Sequence, residues 1–381
     1  MSWAIWITGL PGSGKSALAR RAAERLREQG EPVHVLELDE IRTVLTPSPV
    51  YTEAERDVVY HALVFMAAAL AEHGVPVIID ATAHRRAWRE LARARIRYFA
   101  EVQLSCPLEV CRAREARRRG GHAPRGIYAR AGRPGAAVPG VDVPYEPAGF
   151  PELVVRTDVE DPGTAAGRVV TLARSLGSAA PPRRAPGGAA WAVWITGRPG
   201  SGKTTVARAV LECLAARGLS VRGLSAPEVR QAILADSLGP AAGREMIHRV
   251  LACAAKVLTD AGVPVIVDAG APRRAWRDLA RGLIPRFAEV QLVCPGEICT
   301  ERERAARWDL RFTRPVHAER PPEPRGVEIV SDYEESLRPE LRLQTHVQGL
   351  WTTVEEVLLL IRRRLMGPPS IFHVGRTTPC E

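Results

Sequence analysis

Eight residues near the start of the chain, Gly9-Leu10-Pro11-Gly12-Ser13-Gly14-Lys15-Ser16, have the types and spacing of a phosphate cradle, G-x-x-x-x-G-K-[S/T]. Glycines let successive backbone N–H groups converge on an anion, and a helix that starts there adds the positive end of its dipole. Lys15 can reach the β- and γ-phosphates of ATP, and the Ser16 hydroxyl can ligate Mg²⁺. The same pattern returns as Gly197-Arg198-Pro199-Gly200-Ser201-Gly202-Lys203-Thr204, so ATP binding is predicted twice.

Other residues could complete the chemistry. Asp39 follows an apolar run and opens Asp39-Glu40-Ile41-Arg42. A carboxylate there could take the proton of a substrate hydroxyl or position Mg²⁺, or it could cap a helix starting at Glu40. Asp80 closes the run Val75–Ile79, the layout of an acid that holds Mg²⁺ behind a P-loop, or of another cap. Arg42 and Arg56 could grip an anionic acceptor by forked hydrogen bonds, although Arg56 could also be a solvated helix residue. Arg114 belongs to a run of arginines, Arg112 to Arg119, that reads mainly as a solvated face. Cys106 and Cys111 recur as Cys294 and Cys299, and without further ligands at metal spacing they read as buried thiols. Trp88 and Trp276 read as helix-packing residues.

These residues need a scaffold that brings distant segments together. Strands are expected at 4–8, 33–38, 75–80, 100–104 and 153–155, and helices at 15–29, 53–72 and 85–97. Buried apolar strands alternating with amphipathic helices predict an α/β fold, a parallel sheet covered on both faces. Such a sheet binds ligands at the C-terminal ends of its strands, where Gly9–Ser16, Asp39, Asp80 and the segment after Cys106 would meet. Gly120–Gly140, rich in Gly, Pro and Arg, has the composition of a lid.

The repeat extends well beyond the cradle. Gly74–Ala81 recurs as Gly262–Ala269, Arg85–Arg89 as Arg273–Arg277, Phe99–Leu104 as Phe287–Leu292, and Tyr145-Glu146 as Tyr333-Glu334. A period this long is a duplicated domain. Residues 1–177 form the first, 178–190 a linker, 191–366 the second and 367–381 an irregular tail. Net charge is +10, which suits anionic ligands, while arginines scattered through helices argue against direct nucleic-acid binding. Seven cysteines do not make a disulfide framework, and no apolar run is long enough to span a membrane. A soluble cytoplasmic protein is expected, with a homodimer compatible with the chain.

Residues 1–175 resemble adenylylsulfate (APS) kinase, the P-loop enzyme that phosphorylates the 3′-hydroxyl of APS with Mg-ATP. The motifs that carry the resemblance are Gly9–Ser16, Leu38–Arg42, Tyr51–Arg56, Pro107–Arg114, Gly126–Gly132, Gly140–Pro147 and Pro151–Val154. The resemblance implies two tandem P-loop domains and a role in sulfate assimilation. It makes Asp39 the acid beside the acceptor hydroxyl, and places Arg42, Arg56 and the lid residue Arg130 on the acceptor. Arg114 would lie near the ATP adenine, and Gly126–Gly140 would be the lid. Departures fall on the acceptor side: Val59, His61, Asp80, Ala83-His84, Ala129-Arg130 and Val138-Pro139 replace the family's usual residues.

In the second copy Pro227 stands where the first has Asp39, whereas Arg230 and Arg244 match Arg42 and Arg56. No counterpart of the lid is recognisable in Arg307–Glu328. Pro offers neither base nor ligand, so the second copy is expected to bind nucleotide and to be weak or inactive as a kinase. Two other functions fit the same residues. One is a kinase of another hydroxyl (nucleoside, sugar, antibiotic or polynucleotide end), which the stretch Asp80-Ala81-Thr82 favours. The other is a nucleotide-dependent regulator, suggested by the degenerate second copy.

Overall fold

The computed structural model describes residues 1–179, 190–312 and 333–366. The expected tail, most of the linker and most of Arg307–Glu328 lie outside the described residues.

The first copy runs β1 (Trp3–Thr8), α1 (Lys15–Glu28), β2 (His34–Glu37), α2 (Leu38–Leu45), α3 (Glu53–Glu72), β3 (Val77–Asp80), α4 (Arg86–Arg95), β4 (Tyr98–Ser105), α5 (Leu108–Arg117), β5 (Leu153–Arg156) and α6 (Pro162–Ala179). The second runs β6 (Ala192–Gly197), α7 (Lys203–Ala216), β7 (Arg222–Ser225), α8 (Ala226–Ile233), α9 (Pro240–Asp260), β8 (Val265–Asp268), α10 (Arg274–Leu283), β9 (Phe287–Val293), α11 (Gly296–Phe312), β10 (Leu341–Gln344) and α12 (Leu350–Leu360). The five expected strands of the first copy are present, with ends shifted by one or two residues. β2 stops at Glu37, one residue early, because the chain turns helical at Leu38.

The first sheet has the order β2-β3-β1-β4-β5 and is parallel throughout; the second has the matching order β10-β9-β6-β8-β7. β1 lies at the centre, between β3 and β4, so the loop leaving it opens where the strand order reverses. Alternate residues of β1 serve opposite faces. Ile5 and Ile7 pack with Leu18, Ala22 and Leu26 of α1 and Val169 and Ala173 of α6. Trp6 faces the other way, stacks on Tyr60 of α3, and donates its indole N–H to Ala81 O at 3.0 Å. Thus the strand that feeds the cradle also pins the turn after β3. Trp194 repeats the bond to Ala269 O at 3.0 Å.

Chain contacts divide the molecule into two compact units that do not follow the repeat. One holds the first copy together with Leu224–Val263, and so includes α8 and α9; the other holds the rest of the second copy. Within the first unit, α8 and α9 pack against α2 and α3. This explains why α3 is apolar on every side: Val58, Val59, Ala62, Leu63, Val64, Met66 and Ala67 are all fully buried. Its start is fixed by Thr52, whose side chain accepts from Glu55 N at 3.2 Å, while the Glu55 carboxylate takes the N–H groups of Val50 and Tyr51.

Candidate active site

The cradle is built as its sequence demands. Gly9, Gly12 and Gly14 have φ of +152°, +79° and +99°, backbone that side chains rarely adopt. Gly12 has a second reason to be glycine: a Cβ there would lie 2.3 Å from the Cys111 carbonyl oxygen of α5. Gly14 has open space where a Cβ would be, so its positive φ is what calls for glycine. The Ser13 hydroxyl is fully buried and has no hydrogen-bond partner, a donor left for a ligand; Ser201 repeats this in the second copy.

Lys15 donates to Leu10 O at 3.1 Å. Burial lowers its pKa, and the charges that most oppose this are Asp80 and Asp39. The structure therefore brings three predicted site residues into one electrostatic neighbourhood. Asp80 is buried, which raises its carboxyl pKa, while Lys15 and a hydrogen bond from the Ser16 hydroxyl pull the other way. A carboxylate and a hydroxyl beside a phosphate cradle are the hard oxygen donors Mg²⁺ takes, so these residues fit that ion. In the second copy Thr204 Oγ1 donates to Asp268 Oδ2 at 2.6 Å, and Lys203 donates to Arg198 O at 2.8 Å.

Neither acid is a helix cap. α2 starts at Leu38 with Glu37 at its N-cap, so Asp39 sits inside the first turn, half-buried, where the helix dipole favours a negative charge. Asp80 ends β3, and the next helix begins only at Arg86. The sequence reading overlooked Glu37. It is the register partner of Asp80 across β2 and β3, and burial together with Asp80 raises its pKa. The signal was available, since Glu37 is the last residue of a strand one position before α2.

The arginines separate. Arg42 lies over the Tyr51 ring, 5.3 Å from its centroid, and 3.5 Å from Glu55 Oε1 without hydrogen-bond geometry. Arg56 is not solvated but 8 % exposed; it donates to Tyr51 O (3.2 Å) and Ala137 O (2.8 Å) and faces His84 Nδ1 at 3.5 Å. It thus ties α3 to the Gly126–Gly140 segment. Arg130 is exposed in a single 3₁₀ turn, Tyr128–Arg130, and contacts Arg125 O at 3.4 Å. Arg114 is not simply solvated: it holds Thr157 through Oγ1 (3.3 Å) and O (2.7 Å), and Thr157 Oγ1 donates to Ser13 O at 2.8 Å. Arg302, Thr345 and Ser201 repeat the relay at 3.4, 2.9 and 2.9 Å. Nothing in the spacing singles out Thr157, because it follows an edge strand far from the cradle in the chain.

The Gly126–Gly140 segment lies on the cradle. Tyr128 donates to Pro11 O at 2.8 Å, and a Cβ on Gly140 would collide with Leu10. Asp142 accepts from Gly132 N (2.8 Å) and Val138 N (2.9 Å), holding the segment in shape. A cavity of about 690 Å³ opens between α5 and this segment, lined by Arg112, Glu115, Arg118, Tyr128 and Asp142 among others; Lys15 and Asp39 are not in its wall.

The Tyr-Glu pair proves architectural. Tyr145 OH lies 3.0 Å from Thr8 Oγ1, which donates to Thr82 O at 2.6 Å. Below it Arg89, fully buried, pairs with Glu101 at 2.5 Å and donates to the carbonyls of Ala83 and Glu146. Arg277, Glu289, Ala271, Glu334, Tyr333 and Thr196 form the same knot in the second copy. Ala83 and Ala271 are strained there, with φ of +42° and +40°. Trp88 packs as expected, stacked on Tyr60 with ring centroids 4.0 Å apart. Cys111, Cys294 and Cys299 are buried, Cys106 partly so, and among the described residues no cluster could hold a metal through His, Cys, Asp and Glu.

The family model described as adenylylsulphate kinase matches this chain twice, over residues 1–156 and 189–309. The chain belongs to the adenylylsulphate kinase family. It is 37% identical over 175 residues to the adenylyl-sulfate kinase of Gloeothece citriformis, covering 45% of this chain and 94% of that protein. It is 38% identical over 162 residues to the probable adenylyl-sulfate kinase of Archaeoglobus fulgidus, covering 42% of this chain and 99% of that one. Among solved structures, the Mycobacterium tuberculosis APS kinase in complex with AMPPNP and APS aligns with a TM-score of 0.40 and 30% identity over 45% of this chain and 98% of that one. The sequence expectation of two P-loop kinase-like α/β domains agrees with the double family match and with the two sheets. No described helix is long and apolar enough to cross a membrane.

The second copy keeps its cradle and Asp268 but has no acid at the places of Glu37 and Asp39. Ser225 and Pro227 occupy the places of Glu37 and Asp39. Ser225 caps α8, accepting from Glu228 N at 3.3 Å, and Pro227 fits its first turn, where no N–H partner is needed. Arg230 is exposed and paired with Asp236 at 2.9 Å.

Proposed function

We propose that the first copy transfers the γ-phosphoryl group of ATP to the 3′-hydroxyl of adenylyl sulfate. The observation that carries this reading is the convergence of Lys15, Asp80 and Asp39 in a chain of this family. Lys15 neutralises charge on the transferred phosphoryl group, and the backbone of Gly9–Ser16 holds the β-phosphate. Asp39 accepts the proton of the attacking hydroxyl, and Arg42 fixes the acceptor's anionic group. Mg²⁺ held by Ser16 and Asp80 would supply charge neutralisation between the phosphates. The second copy binds nucleotide without turning over an acceptor. The free thiols suit a reducing compartment, and we place the reaction in the cytoplasm.

The test is ATP consumption by the whole protein with APS, set beside a panel of sugar, nucleoside and polynucleotide hydroxyls. Turnover with APS is expected, falling by about 10²–10⁴-fold in Asp39→Asn, the range of a lost general base. Turnover unaffected by that substitution would sink the assignment of Asp39. One observation favours a second reading, another hydroxyl acceptor: Arg56, expected on APS, spends its donors on Tyr51, Ala137 and His84. Preference for a panel member over APS would establish it.

A further inference from the structure

The compact unit that contains the first copy also contains α8 and α9 of the second. One contact there bears on the acceptor site. Arg249 of α9 donates through Nη1 to the carbonyl of Val44 at 2.9 Å, while its Nε and Nη2 both lie 2.9 Å from Glu245 Oε1. Glu245 is four residues earlier on the same helix, so the guanidinium is aimed before it reaches across.

Val44 lies in the last turn of α2, the helix that carries Asp39 and Arg42. With eight residues, α2 is too short to be stable alone. Leu38, Ile41 and Leu45 anchor one face. Its last carbonyls need partners: Thr46 N serves Arg42 O at 2.9 Å, and Arg249 serves Val44 O. A cation at a helix C-terminus is also favoured by the dipole. Asp39 is five residues from Val44, about 7.5 Å along the axis at 1.5 Å per residue. A tilt of about 10° at the Val44 end would carry Asp39 more than 1 Å, a displacement on the order of one that costs 10²-fold in rate.

We propose that Arg249 is a positioning residue for the first copy's acceptor site: by holding the C-terminal carbonyl of α2, the degenerate copy fixes the helix on which Asp39 and Arg42 stand. The second copy then has a use that does not require it to catalyse. This inference rests on the roles given above to Asp39 and Arg42, and the experiment separates the two.

In the full-length protein, Arg249→Met removes the donor and keeps the stem; Arg249→Lys keeps a cation. Two quantities are read: amide hydrogen exchange of residues 38–46, with α1 and α5 as internal references, and steady-state kinetics with APS. Arg249→Met is expected to speed exchange in α2 about tenfold, leave α1 and α5 unchanged, and lower kcat with APS about 10- to 50-fold with the KM for ATP within twofold. Arg249→Lys should recover most of both. Unchanged exchange in α2, or a loss of kcat matched by an equal rise in the KM for ATP, overturns the proposal. If the wild-type protein turns over no APS, the proposed function fails, and the exchange measurement alone decides whether Arg249 holds α2. If Arg249→Met does not fold, Glu245→Gln, which unaims the guanidinium, takes its place with the same expected directions.

Discussion

Thr157 donates its hydroxyl hydrogen to the Ser13 carbonyl at 2.8 Å, joining the end of β5 to the middle of the cradle. Arg114 grips the same threonine from α5, so cradle, edge strand and arginine helix form one relay. Thr157→Val keeps the shape and removes the hydrogen bond. The KM for ATP should rise about 3- to 10-fold, in proportion to a net hydrogen bond of roughly 1 kcal/mol. The KM for the acceptor should stay within twofold. Equal changes in both constants would show that the relay does not act on the nucleotide side.

The two cradles differ in what surrounds their lysines. Lys15 has Asp39 and Asp80 among its neighbours, while Lys203 has Asp268, Cys299 and Glu303. Lys15→Ala should abolish turnover, on the order of 10²-fold or more. Lys203→Ala should leave turnover within about twofold, and remove one of two nucleotides counted by equilibrium dialysis. Equal loss of activity from either substitution would mean that both copies catalyse.

Arg89 and Glu101 form a buried ion pair, and Arg89 also donates to backbone carbonyls around the strained turn at Ala83. Arg89→Met leaves Glu101 buried and charged with only Arg93, 4.0 Å away, so up to about 3–5 kcal/mol of stability should be lost. Denaturant unfolding followed by tryptophan fluorescence measures this. A double Arg89→Met, Glu101→Leu variant should lose less than the single one, because no uncompensated charge remains.

His84 titrates abnormally. Burial, then the neighbouring Arg56 and Arg85, lower its pKa to about 4, and burial lowers that of His34 to about 4 as well. An unfolded histidine takes its proton near 6.5. Between those values the unfolded chain binds more protons, so stability is full above about pH 6.5 and falls as pH drops towards 4. His84→Gln should flatten the dependence of Tm on pH in that window, with His34 supplying the remaining slope. Parallel curves for variant and wild type would contradict the assignment.

Much of this was legible in the sequence. The cradle, the strand ends and the duplication followed from local patterns, because glycine spacing and apolar periodicity are local properties. Asp39 and Asp80 could be named, but their roles as caps or acids could not be separated, since that depends on where α2 begins. The solvated reading of Arg56 fails for a related reason. An arginine on a helix looks solvated until the segment that covers it is known, and here Ala137, far along the chain, takes its hydrogen bond, while Arg114 stays exposed as it holds Thr157. The all-round apolar character of α3 was a readable sign of a second layer. What it could not reveal is that this layer comes from the other copy.

The caps of α2 and α8 carry one more consequence. α8 begins with a serine that closes its first turn and a proline that stiffens it; α2 begins with two carboxylates and no side-chain cap. The chain therefore holds, in one molecule, the same helix start in an acidic, uncapped form and in a capped, proline-stiffened form, which makes a stability–activity exchange directly measurable. Writing Ser-Leu-Pro-Glu over Glu37–Glu40, which keeps the buried anchor Leu38, should stabilise the α2 turn by up to about 1 kcal/mol while silencing the acceptor site.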